Sequence, residues 1–153
     1  MFCSRTASNL IDKIHERSLR ICHPNITNSS SLRELLNASG DICIHQKHLQ
    51  QLAKEVYKFL HDQSPPFMSD IFKTRVTPYP LRNQNPFSQI TPSTMRYGFS
   101  SISYRAGQIW VQVPEKAKSA VSYLSFKSQI KNWICHSCPC NICKTYIHGL
   151  GYL

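Results

Sequence analysis

A chain of 153 residues is long enough to bury one core, or a helical unit with a small appendage, and too short for two large independent domains. With 41% hydrophobic and 10% aromatic residues it has the material for a packed interior, which excludes wholesale disorder in spite of nine prolines. The net charge of +10 is unevenly placed: residues 1–70 hold eight Lys/Arg against seven Asp/Glu, a net +1, whereas residues 71–153 hold ten Lys/Arg against Glu115 alone, a net +9.

The first expected element is an amphipathic helix from about Ser8 to Cys22. Leu10, Ile11, Ile14, Ile21 and Cys22 recur at helical spacing there, with Asp12, Lys13, Glu16, Arg17 and Arg20 between them. His23-Pro24 ends it, because a proline disfavours helical backbone in the residue before it. Ser31 followed by Glu34 is a capping-box pattern ahead of Leu32, Leu35 and Leu36, and Gly40 supplies the stop, so a short second helix is expected. From Ile44 to His61 the positions Leu49, Leu52, Val56, Phe59 and Leu60 form the clearest stripe in the chain, stopped by Ser64-Pro65-Pro66.

Residues 73–95 carry Pro78, Pro80, Pro86 and Pro92 among polar residues, which removes backbone donors and predicts an extended connector. Beyond it, Ser100 to Arg105 and Ile109 to Val113 read as two strands of a β-hairpin around Ala106-Gly107-Gln108, with Ile109, Val111 and Val113 alternating and Pro114 closing the second strand. Tyr123, Phe126, Ile130 and Trp133 then predict a fourth helix from about Ser119 to Ile134. The expected fold is therefore mostly helical α+β, in four parts: a helical unit over 1–72, the connector over 73–95, a β-hairpin plus helix over 96–134, and a Cys-rich tail over 135–153.

The chemistry concentrates at the C-terminal end. Cys135, Cys138, Cys140 and Cys143 lie close together beside His136 and His148, and a two-residue spacer between cysteines lets a turn bring both thiolates to one zinc ion. Pro139 alone separates the two pairs, which crowds a four-cysteine site. Cys138, Cys140, Cys143 and His148 spread the ligands further and are the expected structural zinc set, with Cys135 the competitor of His148. His15, His45, His48 and His61 read as exposed helix residues, since no partner is spaced locally to complete a metal site.

A charge asymmetry of this size favours a polyanionic partner for the second half, because each neutralised phosphate releases condensed counterions and adds affinity independent of sequence. Lys73, Arg75, Arg82, Arg96, Arg105, Lys127, Lys131 and Lys144 are the candidate contacts for RNA or single-stranded DNA. Tyr97, Phe99, Tyr104 and Trp110, interleaved with Arg96 and Arg105, supply rings on which bases could stack, although Trp110 between Ile109 and Val111 reads first as a packing residue. Asp12, Asp41, Asp62 and Asp70 stand apart, there is no Asp-Asp pair, and neither a phosphate-cradling Gly-rich loop nor a nucleophile elbow occurs. No catalytic residue is assigned, and no small-molecule substrate is expected.

No apolar run approaches the ~20 residues of a membrane span, and MFCSRTASNLIDK lacks the apolar stretch of a secretory signal. Clustered cysteines suit metal binding in a reducing compartment better than a disulfide framework, so the expected location is intracellular, nucleus or cytoplasm, without a membrane partner.

Several segments in order resemble the extreme C-terminal region of jockey-type and related non-LTR (LINE-type) retrotransposon reverse transcriptases. They are HERSLRI (15–21), IHQKHLQQLAKEVYKF (44–59), SPPFMSDIF (64–72), YPLRN (79–83), IWVQVP (109–114), FKSQIKNW (126–133) and CPCNICKTYIHGLGYL (138–153). The resemblance implies helices that support nucleic-acid engagement downstream of a polymerase domain whose catalytic aspartates are not in this chain. It also implies a cysteine-bearing tail, and an origin as a truncated copy of an element with Met1 internal to a longer frame. Ile134, Cys135 and His136 depart from the charged, Lys-Pro-like segment of the family, and Ala106-Gly107-Gln108 departs from its Gly-Pro-Lys-like turn. Two other readings stay open beside the nucleic-acid-binding one: a zinc-stabilised protein-interaction module, and a fragment without function whose helices expose Leu/Ile stripes that once packed on a partner.

Overall fold

The computed structural model describes residues 5–26, 31–75, 86–88 and 101–136. They fall into two compact units, one ending at His48 and the other beginning at Leu49. Among the described residues the regular elements are all helical, and the nearest approach to a strand is an isolated antiparallel bridge between Thr74 and Phe87.

The first unit begins with α1 (Arg5–Cys22), followed by a 3-10 turn (Pro24–Ile26) and α2 (Leu32–Ser39). The sequence signals for α2 act as expected: Ser31 Oγ accepts from Glu34 N, the Glu34 carboxylate accepts from Ser31 N, and Gly40 takes the left-handed conformation at φ 65° that closes the helix. Among the described residues of this unit, the buried apolar side chains are Leu19, Leu35, Leu36 and Cys43. Helix α3 (Ile44–Leu60) starts here, and Cys43 serves its first turn by accepting from Gln46 N at 3.4 Å through its sulfur.

Two histidines expected on the helix surface are instead buried. His15 Nε2 lies 3.7 Å from Asp41 Oδ2, and His45 Nε2 lies 3.2 Å from Asp12 Oδ1. Each carboxylate approaches its histidine from another element, which spacing along one helix could not reveal, and among the described residues His15 Nε2 and Asp12 Oδ1 stay without a hydrogen bond. Lys47 Nζ reaches the same Asp41 oxygen at 2.5 Å, and Ile42 N donates to its other oxygen at 2.9 Å. Burial pushes the Asp41 carboxyl upward, but Lys47, the Ile42 N–H and His15 together hold it below the ordinary range. Burial pulls His15 below its ordinary 6.5 and Lys47 adds to this, outweighing Asp41 and Asp12.

A histidine held below its unfolded value takes a proton more readily in the unfolded chain, so its contribution to stability is complete above about pH 6.5 and is lost as pH falls through the folded value. Chemical unfolding from pH 7.5 to 5 should therefore show falling stability in the native chain and a flatter profile in His15→Gln. Parallel profiles for the two proteins would show that His15 does not titrate across folding. Asp41 adds a further loss below about pH 4, where the unfolded carboxyl begins to protonate first.

The second unit holds the rest of α3, α4 (Met68–Ile71), α5 (Ile102–Gln112), α6 (Glu115–Lys118) and α7 (Tyr123–Ile130). Leu49, Leu52, Ala53, Val56 and Tyr57 are buried at the i, i+3, i+4 spacing of a helix face directed into a core. Phe126 and Ile130 of α7 and Ala106, Ile109 and Trp110 of α5 are also buried. Tyr57 stacks on Phe126 with ring centroids 4.2 Å apart, Trp110 lies 6.1 Å from Phe126, and the buried Tyr57 hydroxyl donates to Ala120 O at 2.7 Å. A second aromatic group, Phe59, Phe72 and Phe87, anchors the Thr74–Phe87 bridge, where Arg75 N donates to Pro86 O and Ser88 N to Lys73 O, each at 2.8 Å.

The expected β-hairpin does not form: residues 102–112 are one helix. Ser101 caps it through its hydroxyl, which accepts from Tyr104 N, and Val113 ends it ahead of Pro114. The reason is visible in what is buried. Adjacent Ile109 and Trp110 are both enclosed and Val111 is exposed, whereas a strand would send Ile109 and Val111 to one face and Trp110 to the other. The fourth expected helix is also shorter than 119–134, because Ser122 caps a fresh start by accepting from Ser125 N at 3.2 Å and the helix ends at Ile130.

Candidate nucleic-acid interface

Packing of Tyr57 on Phe126 fixes α3 against α7 and so decides which polar side chains meet at their outer edge. Lys54 and Lys58 stand one turn apart on α3, and Lys127 follows Phe126 on α7. Lys54 is half-buried, and its ammonium is held below the ordinary lysine value, first by burial and then by the positive charge of Lys127, with Lys58 adding to the effect and Glu55 opposing it. Lys58 Nζ sits 5.0 Å above the Tyr123 ring and 3.2 Å from Glu55 Oε1. The hydrogen bond to Glu55 chiefly raises the Lys58 ammonium, so that charge is firmly kept. Tyr123 is partly exposed and also lies 6.3 Å from Tyr57, with Lys58 the cation over its ring.

Such an edge suits an extended polyanion. A phosphate between Lys54 and Lys127 would offset the repulsion between the two ammonium groups, and a cation over an aromatic face is a setting in which a flat base can join the ring. Lys131, one turn beyond Lys127, is exposed, and its carbonyl accepts from Gln50 Nε2 at 3.1 Å, which fixes the backbone that carries it.

The other sequence-assigned contacts are distributed differently. Lys73 and Arg75 are exposed on either side of Thr74, with their backbones engaged in the bridge to residues 86–88. Arg105 is half-buried on α5 beside Tyr104, whose hydroxyl accepts from Gln108 Nε2 at 2.7 Å, and Trp110 is a core residue. Arg82, Arg96 and Lys144, like Tyr97 and Phe99, lie outside the described residues. Lys54 and Lys58 are additions, and the signal that could have found them is their i, i+4 spacing beside the apolar stripe of α3.

The zinc set Cys138, Cys140, Cys143 and His148 also lies outside the described residues. Its competitor Cys135 is fully buried in the second unit and its thiol donates to Gln112 Oε1 at 3.3 Å, so this sulfur is committed to packing between the end of α5 and the segment after α7. Among the described residues no three His, Cys, Asp or Glu side chains converge in a way that could hold a metal ion, and no helix is long and apolar enough to cross a membrane. Compared with family models, curated proteins and solved structures, the chain finds no match.

Proposed function

We propose that this chain is a non-catalytic nucleic-acid-binding protein that holds single-stranded RNA or DNA, without sequence preference, along the α3–α7 edge of its second unit. The observation that carries the reading is the grouping of cations on this edge, where Lys54 feels the charges of Lys127 and Lys58 and Lys58 sits over the Tyr123 ring. The +9 balance of residues 71–153 supports it, as does the resemblance of the ordered sequence segments to the C-terminal region of non-LTR retrotransposon reverse transcriptases. Zinc held by Cys138, Cys140, Cys143 and His148 belongs to the same proposal and rests on their spacing alone.

The test is titration of a fluorescent single-stranded RNA with the full chain at several salt concentrations. Log affinity should fall linearly with log salt, at about 0.7 per phosphate neutralised on a single strand. The triple variant Lys54→Gln, Lys58→Gln, Lys127→Gln should bind roughly tenfold or more weakly at 0.1 M salt and lose up to about 2 from the slope. Neutralising Lys13, Arg17 and Arg33 of the first unit removes the same charge and should change affinity much less. Equal losses in the two triples would reduce the effect to overall charge, and salt-insensitive or absent binding would refute the reading outright. Thermal melting of the Lys54→Gln protein gives an internal check: a crowded cation is removed, so stability should not fall.

A further inference from the structure

Helix α1 has two faces, and the first unit uses one. His15 and Leu19 are buried, and Asp12 Oδ1 lies 3.2 Å from His45 Nε2. On the opposite side Leu10, Ile14 and Ile21 are 59%, 58% and 80% exposed. At 3.6 residues per turn these three fall within about 40° of arc, and Arg17, also exposed, falls beside them on the same stripe. Exposed Lys13 and half-exposed Arg20 flank the stripe on one side and Ile11 on the other. No carboxylate lies on this face, since Asp12 is turned to His45 and Glu16 is paired with Arg20 at 2.8 Å.

The steps Leu10, Ile14, Arg17, Ile21 are four, three and four residues, which is the seam of a two-helix coiled coil, and Lys13 and Arg20 are seven apart at one flanking position. A lone amphipathic helix face of this kind needs a partner, and the charges select among the candidates. A second copy is disfavoured in both orientations: a parallel pair stacks Arg17 on Arg17, and an antiparallel pair sets Lys13 against Arg20 while Arg17 meets Ile14. A lipid surface is disfavoured because Arg17 lies between Ile14 and Ile21, so inserting the stripe would carry a guanidinium into the acyl boundary. An acidic helix satisfies the stripe, with aliphatic side chains against Leu10, Ile14 and Ile21 and carboxylates against Arg17 and Lys13.

We propose that the exposed face of α1 is a docking site for an amphipathic, acidic helix of another protein. The face shares no residue with the lysine edge of the second unit, and its occupation requires no nucleic acid.

The test uses the full chain and a synthetic helical peptide of about three heptads, with leucine along its seam, one seam glutamate to face Arg17 and glutamate at the flanking positions. The chain should bind this peptide, and Ile14→Ser and Arg17→Glu should each weaken binding at least tenfold, about 1.4 kcal/mol, with the helical circular dichroism unchanged because both positions face solvent. Arg17→Glu should in turn prefer a peptide with lysine in place of the seam glutamate alone, the flanking glutamates being kept against Lys13. Lack of binding by the native chain, or equal binding by Ile14→Ser, overturns the proposal. So does sedimentation of the chain with phosphatidylserine vesicles that Ile14→Ser abolishes while the acidic peptide is ignored, since the face would then be a lipid contact. A concentration-dependent dimer that Ile14→Ser dissolves also overturns it, in favour of a second copy.

Discussion

Replacing Phe126 by alanine should destabilise the second unit by about 3–5 kcal/mol, the range for deleting a fully buried aromatic ring. The ring lies against Tyr57 of α3 at 4.2 Å and faces Trp110 of α5 at 6.1 Å, so its removal opens a cavity where three helices meet. Small domains have only about 5–15 kcal/mol in total, so the loss should move the urea midpoint far down or leave part of the population unfolded in buffer. The comparison that gives the result meaning is Leu124→Ala on the same helix. Leu124 is 74% exposed, and its truncation should stay within about 0.5 kcal/mol. Similar costs at the two positions would mean that α7 does not present Phe126 to this core. The nucleic-acid edge depends on the same contact, because Lys127 is carried to Lys54 by the packing of its neighbour.

What the sequence made legible of this fold is what local chemistry decides. Ser31, Glu34 and Gly40 delimit α2 because each satisfies backbone groups that the helix itself leaves open, and that requirement holds whatever the helix packs on. The stripe of α3 was equally clear, since seventeen residues give a period room to repeat. Residues 100–113 failed for the converse reason. Ile109, Val111 and Val113 alternate, yet Ile109, Trp110 and Val113 equally fit one helix face, and a short apolar run rich in β-branched residues does not separate the two periods. Two quieter signals pointed to helix: Ala-Gly-Gln is not a tight-hairpin turn of the Asn-Gly kind, and Ser101 stands where an N-cap belongs.

For the candidate interface, Lys127 and Lys131 followed from the charge of the second half, whereas Lys54 and Lys58 were hidden by it. Counted with residues 1–70 they belong to a nearly neutral segment, but the compact unit that uses them begins at Leu49, inside α3. Charge per segment is informative only once the segment is a folding unit, and the position of that boundary is a property of tertiary packing. The buried histidines have the same explanation, since Asp41 answers His15 and Asp12 answers His45 from elsewhere in the chain.

Gln50→Leu should cost about 2–4 kcal/mol although it puts a similar volume of more apolar side chain into a buried position. Gln50 Nε2 donates to Lys131 O at 3.1 Å and to Trp133 O at 2.8 Å, carbonyls beyond the last turn of α7 that have no following helical turn to pair with. Leucine would leave both acceptors facing carbon, at about 1–3 kcal/mol each. Gln50→Glu separates donation from size. At neutral pH it sets a carboxylate against two carbonyl oxygens and should be worse than leucine, while the protonated acid can donate to one of them. The folded pKa of that glutamate is thereby raised above its unfolded value of about 4.3, so its stability should be greatest below pH 4 and fall as pH rises through the folded value. Urea unfolding of the two variants at pH 4 and pH 7 decides the matter. The difference between the glutamate and leucine proteins should shrink or reverse sign on acidification, and a difference unchanged between the two pH values would mean that the side-chain amide is not what closes the end of α7.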